Sequence, residues 1–88
     1  MTAKVIVYGI HDHPATDVAE QFLQQKGVKD IEMAYIDVDA ELRKEAWTRS
    51  ERGRTIPQIF IGEEHIGSLS DMVELDRAGQ LDPLLKAS

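Results

Sequence analysis

TIPQIFIGEEHIGSLSDM, residues 55–72, decides how the rest of the chain is read. PQIFI at 57–61 is short, apolar and β-branched or aromatic, which predicts a strand. Gly62-Glu63-Glu64 is a turn, and His65-Ile66-Gly67 returns as the second arm of a β-hairpin. The polar residues that follow open a helix, predicted over 70–78 and ended by Gly79, with Ser70 or the residues beside Leu69 as its cap. A last short helical turn is predicted over 81–86.

Upstream, KVIVY at 4–8 suits a central strand covered on both faces. Pro14 sits where a helix can begin without an N–H. Val18, Ala19, Phe22 and Leu23 follow helical periodicity and are expected to face the core, with Gly27 closing the helix. IEMAYIDV at 31–38 is a second strand, so the first half is a right-handed βαβ unit. DAELRKEAWTRS at 39–50 is helical, capped by Asp39, with Leu42, Ala46 and Trp47 facing inward. Glu51 to Thr55 is a charged loop. The order β-α-β-α-β-β-α predicts an α/β domain: a four-stranded mixed sheet flanked by helices, spanning 1–88 as a single unit.

Composition narrows function. The net charge is −6, from 16 acidic and 10 basic residues, which argues against nucleic acid and against anionic membranes as partners. No stretch is apolar for long enough to span a bilayer, and the expected compartment is the cytoplasm. A monomer is expected, with a dimer as the alternative. There is no cysteine, which removes disulfides, thiolate metal sites and every reaction that needs a thiol.

Thr55-Ile56-Pro57 with the strand after it, HIGSLSDM at 65–72, and the closing segment from Glu74 to Leu85 together resemble the glutaredoxin family, within the thioredoxin fold. Phe22-Leu23 and Lys26-Gly27-Val28 are similar to the first helix of its small bacterial members. The resemblance implies a cis-proline at Pro57 and a fold built for glutathione-dependent thiol–disulfide exchange. It also locates the departure. In the family a strand ending in Tyr is followed, after a few residues that include a Lys, by C-P-Y-C or C-G-F-S. Tyr8 and Pro14 match that frame. His13 then stands at the nucleophilic cysteine, Thr16 at the second cysteine, Ala15 at the aromatic and Ile10 near the Lys. Ser68 replaces the second glycine of the G-G pair.

Neither an imidazole nor a hydroxyl can form or resolve a disulfide, so the ordinary family catalysis is excluded and a pseudoenzyme is expected. Glutathione is a separate matter. The resemblance implies that Ile56 offers its backbone to an extended ligand beside Pro57. It also implies that the γ-glutamyl carboxylate docks after Gly67 and Ser68, near Ser70 and Asp71 at a helix N-terminus. Weak binding of glutathione or a protein peptide segment is the leading expectation. The same residues are equally explained by a turn and a helix cap alone.

A metal ion is the second candidate cofactor, held by His11, Asp12 and His13. Asp12 as a turn residue between two solvated imidazoles is the plainer account, because alternate side chains on an extended segment diverge. Arg49, Arg52 and Arg54 form a basic run that can steer an anion, and Trp47 and Tyr35 are expected to be half-buried. A laboratory variant of such a protein with its cysteines removed reads the same way as a natural one.

Overall fold

Strand β1 (Val5–Gly9) carries side chains that are buried on both of its faces, and the sheet is laid down around it. In a computed structural model, which describes residues 3–49 and 56–86, the elements follow as α1 (Pro14–Gln25), β2 (Ile31–Tyr35), α2 (Ala40–Arg49), β3 (Gln58–Ile61), β4 (Glu64–Gly67), α3 (Leu69–Arg77) and α4 (Leu81–Lys86). The strand order is β2-β1-β3-β4. β1 pairs parallel with β2, in register Val5↔Ile31, and antiparallel with β3, in register Tyr8↔Gln58. β3 pairs antiparallel with β4, with a register shift between Ile59 and Phe60. The expected four-stranded mixed sheet flanked by helices is thus the observed one.

Alternation along the strands divides the core in two. Val5, Val7, Ile59 and Ile61 pack with Ala19, Leu23, Met72, Leu81 and Leu85, contributed by α1, α3 and α4. Tyr8 and Phe60 point to the other face and meet Ala34, Ile36 and Ala46, with Leu42 and Trp47 of α2 half-buried beside them. Lys26 pairs with Asp76 and, at 3.2 Å, with Asp82, so one ammonium ties the end of α1 to α3 and α4. Among the described residues, no helix is long and apolar enough to cross a membrane.

Several expected boundaries move. β2 ends at Tyr35 rather than Val38: the Ile36 N–H closes onto the Gly9 carbonyl at 2.9 Å, and the chain turns away to leave Val38 73% exposed. Pro57 precedes β3 instead of opening it, as a residue without an N–H should. Val18 is 48% exposed, not in the core. The buried stripe of α1 runs through Thr16, Ala19 and Leu23, and Val18 lies about 100° around the helix from Ala19. Helix α3 starts at Leu69, with Ser68 and not Ser70 as its cap.

Candidate functional site at one end of the sheet

The strand directions gather the candidate residues. β1 and β2 run in one direction while β3 runs in the other. Consequently the C-terminal ends of β1, β2 and β4 and the N-terminal end of β3 lie together. Each of β1, β2 and β4 leads into a helix, so the N-termini of α1, α2 and α3 converge at this end. Ile56 and the cis Ile56–Pro57 peptide bond enter β3 there. Asp39 already accepts from the first amides of α2 and Asp71 closes the cap of α3, which leaves the macrodipoles and the initial amides of α1 and α3 as what this end can offer an anion.

His13 is the N-cap residue of α1, with extended backbone and no side-chain cap bond. Its carbonyl accepts from the N–H groups of Thr16 and Asp17 at 3.0 and 3.2 Å. Thr16 is fully buried. Its Oγ1 accepts from the Ile10 N–H and lies 3.4 Å from Nδ1 of His13. The two positions where the sequence places the lost cysteines are therefore adjacent and unlike: a half-buried imidazole at the helix mouth, and a hydroxyl sealed beneath it.

Ser68 and Asp71 form a capping box at the start of α3. Oδ2 of Asp71 accepts from both the N–H and the hydroxyl of Ser68, at 3.0 and 3.1 Å, and Ser68 Oγ accepts from the Asp71 N–H at 3.3 Å. Gly67 is needed here. Its φ is +112°, and a Cβ at this position would stand 2.3 Å from Oδ2 of Asp71. Asp71 thus caps α3 through its Oδ2. Ser70 is exposed in the first turn, whose initial amides have no partner within the helix.

The His11-Asp12-His13 loop comes apart by geometry. His11 stacks on Tyr35, with centroids 3.8 Å apart and planes at 14°, and its Nδ1 donates to Asp37 at 2.9 Å. Asp12 adopts φ 58° at the exposed turn. Among the described residues no three His, Asp or Glu side chains stand together as a metal site. The His11 bond holds the Asp37 carboxyl below its ordinary value. Its stabilising effect is present above the unfolded carboxyl pKa and fades as pH falls through the lower folded value. Asp37 is expected to titrate below a free aspartate by carbon-detected NMR, and His11→Ala should return it upward. An unmoved titration in that variant would assign the shift elsewhere.

Sequence reasoning missed a polar layer on the α2 face. The buried Tyr8 hydroxyl donates to Glu45 Oε1 and accepts from Arg49 Nη1 at 2.8 Å. Burial, then the Glu45 bond, pushes this phenol above its usual pKa against the opposing pull of Arg49, so it stays neutral. Arg49 also lies over the Phe60 ring at 4.1 Å, and His65 stacks on the same ring while bonding the buried Gln58 at 2.6 Å. Arg49 is consequently a core-facing tie rather than part of a steering patch. Thr55, Arg52 and Arg54 lie outside the described residues. The one available signal was the i,i+4 spacing of Glu45 and Arg49.

The glutaredoxin family profile matches residues 5–66. The chain belongs to the glutaredoxin family. It is 45% identical over 83 residues to the glutaredoxin of Pseudomonas aeruginosa, covering 94% of this chain and 96% of that one. The solution structure of the Brucella melitensis glutaredoxin superposes with a TM-score of 0.79 at 38% identity, covering 97% of this chain and 90% of that one. A buckwheat glutaredoxin–glutathione complex superposes with a TM-score of 0.81 at 25% identity, covering 94% and 76%. This glutaredoxin differs from the family pattern at its chemistry: it has no cysteine at all.

Proposed function

We propose that this glutaredoxin performs no thiol–disulfide exchange and binds glutathione, or an extended peptide, weakly and without covalent capture. The observation that supports the proposal is a cis Ile56–Pro57 bond beside the N-terminus of α3 in a chain with no cysteine. Exchange requires a thiolate to attack sulfur, and the 88 residues contain none. The features that favour an extended anionic ligand are backbone features: Ile56 ahead of the cis Pro57, and the N-terminal amides of α3 after Gly67. They do not depend on a sulfur atom. Glutathione carries two carboxylates and one ammonium, which suits converging helix N-termini. The buckwheat relative with the same fold is a glutathione complex.

Two departures weaken the fit. Ile10 supplies no charge where the family pattern has a Lys, and the protein's net charge of −6 opposes an anion. Affinity is expected near a Kd of about 1 mM, roughly −4 kcal/mol. A proton–nitrogen NMR titration with reduced glutathione should move Ile56, Leu69, Ser70 and Asp71 together and saturably. Asp71→Asn, which keeps an oxygen for the Ser68 cap but removes the charge, should alter the affinity without unfolding the helix. Silence at these amides up to tens of millimolar would leave a scaffold with a turn and a cap, and the proposal would fail.

A further inference from the structure

β4 is the last strand of the sheet, and among the described residues no strand covers its outer edge. Beside that edge runs an open groove of about 640 Å³, bounded by β4, α3 and α4. Ile66, Leu75 and Leu84 give it an apolar floor, and Glu64 and Glu74 stand at its rim. Leu75 and Glu74 share a face of α3 with Asp71 and Ala78, at i, i+3, i+4 and i+7, so one helical stripe forms a whole wall. Ile66, Leu75 and Leu84 are partly buried against the core cluster that holds Met72, so the groove is lined by their outer surfaces.

We propose that this groove receives an extended, lysine- or arginine-bearing segment of a partner protein, laid along β4. The volume is in the range of ligand sites. The strand edge offers main-chain donors and acceptors of the kind that an added strand takes up. The rim sets the charge of the occupant: it carries carboxylates and, among the described lining residues, no Lys or Arg. Arg77 reaches Glu74 at 3.6 Å, but both side chains are about three-quarters exposed (75% and 72%), and such a pair yields readily to a competitor. A second copy of this chain is a poor occupant, because each copy brings a net charge of −6. This surface meets the glutathione reading only at Asp71, whose Oδ2 caps Ser68, and otherwise uses the outer edge of β4 and the flank of α3.

The test uses the full chain and an acetylated, amidated pentapeptide alternating leucine and lysine. The same peptide with glutamate for lysine, and butylamine alone, are the comparators. Amide shifts from the leucine–lysine peptide should saturate at Ile66, Leu75 and Leu84. They should weaken about tenfold in Glu64→Lys/Glu74→Lys, whose exposed positions leave the fold intact, and weaken again with added salt. The proposal is overturned by no saturable shift below about 10 mM, a weak limit on the affinity scale. It is equally overturned by the same shifts with the glutamate peptide or butylamine, by unchanged binding in the charge-reversed variant, or by shifts centred on Ile56 and Ser70. Concentration-dependent dimerisation through Leu75 in sedimentation would assign the groove to self-association instead.

Discussion

His13→Cys is expected to give this protein glutathione-dependent reductase activity. The position is the N-cap of a 12-residue helix, where the first-turn N–H groups and the macrodipole favour negative charge. A thiol placed there should ionise below the ordinary cysteine value, and its thiolate is the attacking species. The parent has no sulfur nucleophile and is expected to give only the uncatalysed background. The variant should exceed that background by roughly an order of magnitude or more at neutral pH, where a lowered pKa converts a minor thiolate fraction into a large one. Thr16→Cys is the informative contrast. Thr16 is fully buried, so a thiol there should be raised in pKa and nearly unreactive. Thiol titration with iodoacetamide and a coupled reductase assay separate the two variants. A folded His13→Cys protein with an ordinary thiol and no activity would show that the receiving end is closed or that His13 is not the nucleophile position.

This contrast also marks how far the sequence could be read. The fold was legible because both halves repeat what local physics demands. KVIVY is apolar on both faces because β1 lies between two other strands and two helical layers, and PQIFI, a turn and HIG make a hairpin from their own residues. The N-cap of α3 was less legible, since Ser68 and Ser70 are both good caps by type. What decides between them is the reciprocal bond of Ser68 with Asp71, three residues on, together with the positive φ of Gly67. Val18 was misplaced because helical periodicity gives a stripe without saying which side of it a border residue takes. The Tyr8–Glu45 and Tyr8–Arg49 bonds span 37 and 41 residues, and His11–Asp37 spans 26. No local pattern carries such pairings, yet they fix the opening loop and α2 against the sheet. The His-Asp-His triplet illustrates the converse. Its residue types suggested a ligand set, but adjacency in the chain put His11 on Tyr35 and His13 over Thr16.

Gly9→Ala is expected to destabilise the protein by a direct clash at this end of the molecule. A Cβ built on Gly9 stands 2.3 Å from Cγ2 and 2.7 Å from Oγ1 of Thr16, and Thr16 has no exposed surface into which to retreat. Overpacking of this kind costs about 1–3 kcal/mol, which in a chain of this length lowers Tm by roughly 4–8 °C per kcal/mol. Thr16→Ala alone should also destabilise, because it removes a buried methyl and the oxygen that accepts the Ile10 N–H. The two changes should not add. Once Thr16 is Ala, only its Cβ remains near the new methyl of Gly9→Ala, at 3.1 Å, so most of the clash is gone. A coupling of about 0.5–3 kcal/mol in favour of the double variant is expected for side chains in direct contact. Thermal denaturation of the four proteins closes the cycle. Additive losses would mean that β1 and α1 shift apart to admit the methyl. The floor beneath His13 would then be compliant, and the buried hydroxyl at the second-cysteine position would not be what holds the helix mouth in place. Coupled losses would make Gly9 and Thr16 one unit, with the N-terminus of α1 set by a strand glycine and a side chain that has replaced sulfur with packing.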